Sequence, residues 1–335
     1  MPSCPFVLYS CLIVRIVLRN HILMSSMPDS HTNMLNHRLH LKSNQLGTVV
    51  FHNCLILQKQ PDILKMQDLI LFLDEIFHNH QHITHIQLSK SSWPDCEASQ
   101  ALSKHINIRS FSKYEFYNCP LFLSADAQKK HAILDQSTVI KSQINLSGEL
   151  YNRKDLDIDQ VISFKVIDPK TDLALFHQWM NNPRVAEFWD QAWSEEALHN
   201  YLKEKLDSPF ELPLIGCFND IPFGYFEVYW ASQDRIAPYY PWQSFDRGLH
   251  LLIGNESFRG SRYFKAWCKA ISHFIFLDDM RTQKIVLEPR HDNHRLFTQI
   301  QKLGFKKEFE FDFPHKRAAL TSIQRAEFFN TNFSC

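Results

Sequence analysis

The stretch Leu249-His250-Leu251-Leu252-Ile253-Gly254, followed directly by Asn255-Glu256-Ser257-Phe258-Arg259-Gly260-Ser261-Arg262, decides how this chain is read. The first part is an apolar strand carrying one histidine. The second is a turn rich in arginine and small residues, and the pattern beyond it predicts a helix over 263–276. A turn that opens a helix leaves backbone N–H groups without intrahelical partners, and the helix dipole adds positive potential there. With the guanidinium forks of Arg259 and Arg262, such a turn is a cradle for a pyrophosphate. A second apolar strand, Ile285-Val286-Leu287, ends in Glu288. Two titratable groups beside a phosphate cradle point to group transfer from a phosphate-bearing carrier.

Working outward, residues 162–167 read as a strand, and Asp172 is the expected cap of a helix reaching Met180. Ser194 caps a second helix to about Leu206, with Glu195 and Glu196 where the dipole favours acids. Residues 214–218 and 223–230 form a hairpin around the short Asn219-Asp220 turn. A last helix covers 293–303 with Gly304 as its natural terminator. Residues 308–313 alternate as a strand, and 318–323 are the expected hairpin partner. The polar stretch 147–159 reads as a linker between a first α/β domain, 27–150, and this second one, 151–335.

At 335 residues two domains are the expectation. Thirty-six basic and thirty-six acidic residues cancel, which is not the basic footprint of a nucleic-acid binder. The eight cysteines contain no C-x-x-C pair, which argues against a structural zinc or redox dithiol and fits a reducing, cytoplasmic setting. Residues 6–18 are mostly apolar, interrupted by Arg15, and too short to span a bilayer. They lack a basic leader and a clean cleavage site, so Met24 or Met27 fits a natural start and 1–26 an upstream extension. The first half carries no phosphate loop or nucleophile motif. Its string His78, His80, His82 and His85 lacks the further spacing of a metal site, so no metal is expected.

The order of elements, with a phosphate turn after the fourth strand, resembles the GNAT acyltransferase superfamily over residues 160–325. A narrower likeness lies within it. His177-Gln178-Trp179-Met180-Asn181, Arg184-Val185 and Phe188-Trp189 look like the front signature of siderophore-biosynthesis acyltransferases. So do Gly224-Tyr225-Phe226-Glu227-Val228-Tyr229-Trp230, Gly248-Leu249-His250-Leu251-Leu252, Arg259-Gly260 and Glu288-Pro289-Arg290, with Asn293 and Gly304-Phe305 completing the set. The group most similar comprises the hydroxylysine acetyltransferases of aerobactin-type pathways and their relatives. The superfamily cradle is usually Gln/Arg-x-x-Gly-x-Gly/Ala. Aligned on Gly260, this chain has Ser257 first and Arg262 last, so side chains are expected to grip the donor more than a glycine nest does.

The resemblance implies an α+β (mixed α/β) fold with a splayed central sheet, preceded by the smaller α/β domain. It implies acetyl-CoA or another acyl-CoA as co-substrate, its pantetheine arm lying between the diverging strands. Backbone groups of Leu252 and Ile253 would pair with the arm. Arg259, Gly260, Ser261, Arg262 and Asn293 would hold the carrier. It implies Glu288 as base and His250 as orienting or shuttle residue, with His177, Trp179, Arg184, Glu227, Trp230 and Arg290 binding the acceptor, a small hydroxylated amine. A homodimer is expected, with the first domain shaping the acceptor site or the dimer; no membrane or nucleic-acid partner is. Blander readings stand beside these. A strand histidine is commonly structural, the arginines can be solvated charges, the tryptophans can fill the core, and Glu227 can be the outer face of an alternating strand. Two rival functions remain: acetylation of another amine, such as an antibiotic, polyamine or protein terminus, and a non-catalytic acyl-carrier-binding protein.

Overall fold

A computed structural model of the chain describes residues 48–51, 54–57, 66–88, 100, 102–128 and 146–333. The expected extension 1–26 lies outside them. In the first half, β1 (Thr48–Phe51), β2 (Cys54–Leu57), β3 (His85–Leu88) and β4 (Ser110–Ser112) form a four-stranded sheet in that order. The crossover between the parallel β2 and β3 contains α1 (Met66–Asn79), which buries Leu69, Phe72, Leu73, Ile76 and Phe77 at helical spacing. Helix α2 (Lys113–Tyr117) starts with a capping box between Ser112 and Glu115.

The second half runs β5 (Glu149–Asp155), β6 (Gln160–Val166), α3 (Pro169–Met180), α4 (Pro183–Trp189), α5 (Glu195–Asp207), β7 (Glu211–Phe218), β8 (Ile221–Trp230), β9 (Arg247–Ile253), α6 (Ser261–Asp278), β10 (Lys284–Leu287), α7 (His294–Gln301), β11 (Lys306–Asp312), β12 (Arg317–Gln324) and α8 (Arg325–Phe333). The eight strands order as β11-β12-β10-β9-β8-β7-β6-β5. Every neighbouring pair is antiparallel except β9 with β10. The hairpin turn between β7 and β8 places Asn219 and Asp220 at φ of 45° and 64°. Both are left-handed, as a two-residue turn matched to strand twist requires.

The parallel pair positions the site. β9 and β10 are in register only at Arg247 with Ile285 and Gly248 with Val286. From Leu249 onward they part. The residue after Glu288 is Pro289, which has no N–H and cannot extend the ladder. The sheet therefore opens where the histidine and the carboxylate sit.

Two expectations are corrected. The stretch 147–159 is not a linker: it carries β5, the edge strand of the large sheet, with Leu150 and Tyr151 buried. An edge strand exposes polar side chains, which a reading by composition cannot tell from a loop. Nor is Asp172 the cap of α3. Asp168 caps it, accepting from the Lys170 amide at 2.9 Å, and Pro169 fills the first position, where no N–H is needed. Asp172 is buried one turn later, holding Lys165 Nζ at 2.9 Å and the Asp168 amide at 3.0 Å.

Buried residues of the two halves form one apolar cluster that includes Phe77, Phe116, Tyr117, Phe274, Phe328 and Phe333. Polar contacts cross it. Asp74 accepts from the Tyr117 hydroxyl at 2.5 Å and pairs with Arg153 at 2.8 Å. His273 is wholly buried, with Nδ1 3.0 Å from the Tyr151 hydroxyl and Nε2 donating to the Tyr117 carbonyl at 2.7 Å. Among the described residues no helix is long and apolar enough to cross a membrane.

Candidate active site

A cavity of about 1320 Å³ occupies the opening between β9 and β10. β9 supplies its central wall, α4 and Tyr201 and Lys205 of α5 one side, and the turn at Arg259 to Ser261 one end. The direction of each β9 peptide follows from the register. The Gly254 amide donates to Phe223 on the β8 side. By two-residue alternation, Leu252 and His250 also turn their main chains to β8, while Ile253, Leu251 and Leu249 turn theirs away from it. Side chains of α4 confirm this, since Arg184 Nη2 donates to the Ile253 carbonyl at 2.8 Å and Trp189 Nε1 to the Leu251 carbonyl at 3.3 Å. Of the two residues expected to pair with an extended arm, Ile253 is so directed and Leu252 is not. Leu251, which was not among the residues expected to pair with the arm, is directed the same way as Ile253.

The side chains on the same strands converge on one charged ring. Glu227 of β8 lies directly across from His250 of β9. His250 Nδ1 is 3.2 Å from Glu227, and its Nε2 is 3.2 Å from Glu288. The Glu227 side chain is 2% and that of Glu288 6% exposed, so neither charge is left to bulk water. Burial opposes a charge on His250, but Glu288 and Glu227 outweigh it and push its pKa up to about 9. Burial likewise opposes ionisation of Glu288, yet His250, Lys316 and Arg235 hold it well below the usual carboxylate range. Glu227 is also held low against its burial, by His250, Lys205 and Tyr201. At neutral pH the ring is therefore an imidazolium between two carboxylates.

Further groups fasten the ring. Glu227 accepts from the Tyr225 hydroxyl at 3.0 Å and from the Tyr201 hydroxyl, with Lys205 at 3.9 Å. Arg235 Nη2 donates to Glu288 at 3.0 Å, and Lys316 Nζ donates to the Glu288 carbonyl at 2.8 Å. The ring of Tyr229 lies 4.5 Å from that of His250, and Gly248 makes room for it: a Cβ there would come within 2.1 Å of the Tyr229 ring. None of Tyr201, Lys205, Arg235 or Lys316 was anticipated. They arrive from α5, the loop before β9 and the turn before β12, and no local spacing ties them to Glu288 or Glu227.

At the other end, Gly260 begins α6 at φ of +108°, and an added Cβ would meet nothing within 4 Å. The first amides of α6 have no intrahelical acceptors and open onto this space. Arg259, Gly260 and Ser261 line the cavity. Arg262 does not: its Nη2 donates to the Ile158 carbonyl at 3.3 Å, on the β5–β6 side. Of the two arginines expected to hold the carrier, Arg259 faces the cavity and the Arg262 guanidinium does not, because the second residue of the helix points to the sheet behind it. Asn293 lines the cavity but spends its side-chain oxygen capping α7, accepting from the Leu296 amide at 3.1 Å.

Of the six residues expected around the acceptor, Arg184, Glu227 and Arg290 line the cavity, and His177, Trp179 and Trp230 do not. Trp179 packs over Gly254 so closely that a Cβ there would lie 2.1 Å from the indole. Trp230 stacks on the guanidinium of Arg247 at 4.3 Å. Both tryptophans support β9 from outside the cavity. His177 sits partly buried near the end of α3, its carbonyl capping the helix through the Asn181 amide. Arg290 is half-exposed and pairs with Asp292 at 2.8 Å. No described residue before Arg184 lines the cavity. Among the described residues no group of three or more His, Cys, Asp or Glu could hold a metal ion.

A family model described as an acetyltransferase (GNAT) domain matches residues 168–313. Over 264 residues the chain is 40% identical to the N(6)-hydroxylysine O-acetyltransferase of Escherichia coli, in an alignment covering 77% of this chain and 83% of that protein. The chain belongs to the GNAT acyltransferases. It is also 40% identical over 157 residues to the N(5)-hydroxyornithine:cis-anhydromevalonyl coenzyme A-N(5)-transacylase of Beauveria bassiana, covering 47% of this acyltransferase and 34% of that longer protein. Among solved structures, an uncharacterised protein of Bacillus halodurans matches with a TM-score of 0.53 and 26% identity, over 56% of this chain and 96% of that one.

Proposed function

We propose that this acyltransferase moves an acetyl or longer acyl group from coenzyme A to the nitrogen of an N-hydroxylated lysine or related diamine, in cytoplasmic hydroxamate siderophore synthesis. The observation that carries the reading is the Glu227–His250–Glu288 ring placed where β9 and β10 part. The names of the two relatives above support the acceptor class.

The cavity suits the donor. Free amides at the start of α6, with Arg259, form a site for a diphosphate. The Leu251 and Ile253 amides, turned away from β8 beyond the last paired residues of β9 and β10, offer an edge along which an amide-bearing arm can lie. Bound there, the donor supplies an activated thioester carbonyl. The chain's own groups do the rest. Glu288, ionised and facing the opening, accepts the proton from the attacking nitrogen as the C–N bond forms and the C–S bond breaks. A carboxylate held this low is a weak base. It suffices because a hydroxylated amine is already largely neutral at pH 7 and its N–H becomes acidic only as it bonds to carbon. His250, charged, holds Glu288 in place and passes a proton toward the departing sulfur. Glu227 fixes the imidazolium from its far side, so its expected contact with the acceptor becomes a support of His250.

The test is to incubate the protein with several acyl-CoAs and a panel of hydroxylated and plain amines. Free-thiol release and product mass are followed, with ferric-complex colour reporting the hydroxamate. Thiol release confined to hydroxylated amines, with a ferric-binding product, is expected. Turnover of plain amines alone, or an ester product, would contradict the proposal.

A further inference from the structure

The resemblance puts Arg184 at the acceptor, but its side chain lies at the other end of the cavity. Its amide donates to Oδ1 of Asn182, the cap of α4, at 3.0 Å, so its root is fixed in the first turn of that helix. From there Nη2 reaches the carbonyl of Ile253, the last residue of β9, at 2.8 Å. Nε stands 3.6 Å from Glu256, in the short turn Glu256–Phe258 that leads directly into Arg259. His250 lies three residues back from Ile253 along β9, about 10 Å at the usual strand rise. Both contacts therefore hold the guanidinium beside the turn that enters α6 and away from the reacting ring.

The guanidinium is not spent on those contacts. It has five N–H donors. One goes to Ile253, and Nε, though buried, has no hydrogen-bond partner. Glu256 is the one acid paired with it among the described residues. That distance is too long for a hydrogen bond, and the Glu256 side chain is 65% exposed, so water screens the pair. Glu187, one turn along α4, also lines the cavity and acts on the charge of Arg290. A diphosphate offers the planar guanidinium fork several charged oxygens and is a stronger partner than a screened carboxylate.

The turn itself is short of side chains for that anion. Arg262 is directed to Ile158. Asn255 spends its side-chain oxygen on the Ser257 amide and its nitrogen on the Pro222 carbonyl. Neither Glu256 nor Ser257 lines the cavity, whereas Arg184 and Arg259 both do. Two guanidiniums thus arrive at the same end of β9 from separate elements, Arg259 from the turn and Arg184 from α4.

We propose that Arg184 is a binding residue for the acyl carrier, gripping its diphosphate together with Arg259, and that it takes no part in holding the acceptor. This deepens the donor placement proposed above and rests on it.

Calorimetric titration tests it with coenzyme A, dephospho-coenzyme A and pantetheine, which lacks the diphosphate. The proteins are the unchanged chain, Arg184→Ala, Arg184→Gln and, as a benchmark, Arg259→Ala. Loss of one charge-assisted contact should weaken coenzyme A and dephospho-coenzyme A by about 10-fold in both Arg184 variants and leave pantetheine within about twofold. Glutamine keeps an amide that can donate to Ile253 but carries no charge, so a loss shared by both variants follows the charge. Equal weakening of all three ligands, or a loss in Arg184→Ala that Arg184→Gln restores, would overturn the assignment and leave Arg184 as a support of β9. Weakening of coenzyme A without dephospho-coenzyme A would overturn it too, in favour of the adenosine 3′-phosphate. So would a raised acceptor KM with donor affinity intact. If Arg259→Ala loses the preference for the diphosphate and the Arg184 variants keep it, this proposal fails while the donor placement stands. An unchanged chain that binds all three ligands alike would sink the donor placement and this proposal with it. The titrations need no turnover, so an absence of acyl transfer would count against the proposed reaction alone.

Discussion

Replacing Glu227 with Gln should move the pH at which this enzyme fails. The carboxylate faces His250 Nδ1 at 3.2 Å, so the centres of charge are roughly 5 Å apart. At an effective dielectric of about 20, such a pair interacts by about 3 kcal/mol. That is about two pKa units, enough to bring His250 from about 9 to near neutrality. The amide keeps an acceptor for Tyr225, and Lys205 keeps its partner Glu211, so the fold should survive. Since the charged imidazole holds Glu288, kcat/KM in the unchanged enzyme should hold through neutral pH and fall near pH 9. In Glu227→Gln the fall should begin about two units earlier. Rate profiles and NMR titration of the His250 ring measure this directly. An alkaline limb unmoved by the substitution, or activity that rises as His250 loses its proton, would refute the reasoning.

Other outcomes follow from the same geometry. Glu288→Gln should lower kcat by about 10²- to 10⁴-fold with little change in donor affinity, measured by steady-state kinetics and donor titration. Arg259→Ala should raise KM for the acyl-CoA severalfold, whereas Arg262→Ala, whose guanidinium is turned to Ile158, should change it less than twofold. Gly254→Ala drives a methyl into the Trp179 indole and should cost about 1–3 kcal/mol in denaturant unfolding, the typical penalty for overpacking. Burial, followed by the nearby Arg153, holds the His273 pKa well below its usual value. The unfolded chain therefore takes up a proton near pH 6.5 that the folded chain refuses, so stability should fall as pH drops below about 6.5. His273→Asn should flatten that acid slope in thermal melts.

Much of the second half was legible because its signals are local. The Ser194 cap with Glu195 and Glu196, the Asn219-Asp220 turn and the Gly304 terminator each act within a few residues. The glycine-led start of α6 did too. What was not legible depends on who lies opposite whom. Leu252 and Ile253 look alike in sequence, and only the register with β8 decides which main chain faces the cavity. Trp179 sits in a motif that pointed to substrate, but a bare Gly254 opposite it shows that its indole is packing. Arg235 and Lys316 approach Glu288 from 53 and 28 positions away. β5 was hidden because an edge strand is polar on its open face.

The central claim is that the gap between β9 and β10 holds the carrier's arm, with its diphosphate at the start of α6. Residue-resolved hydrogen exchange with and without coenzyme A tests it. Slowed exchange is predicted at the Leu251 and Ile253 amides and at those of Gly260, Ser261 and Arg262, with Leu252 and His250 already slow from their bonding to β8 and Leu249 from its bonding to β10. Saturating coenzyme A that leaves the amides of Leu251 and Ile253 unchanged, or protects a different surface, would contradict the account.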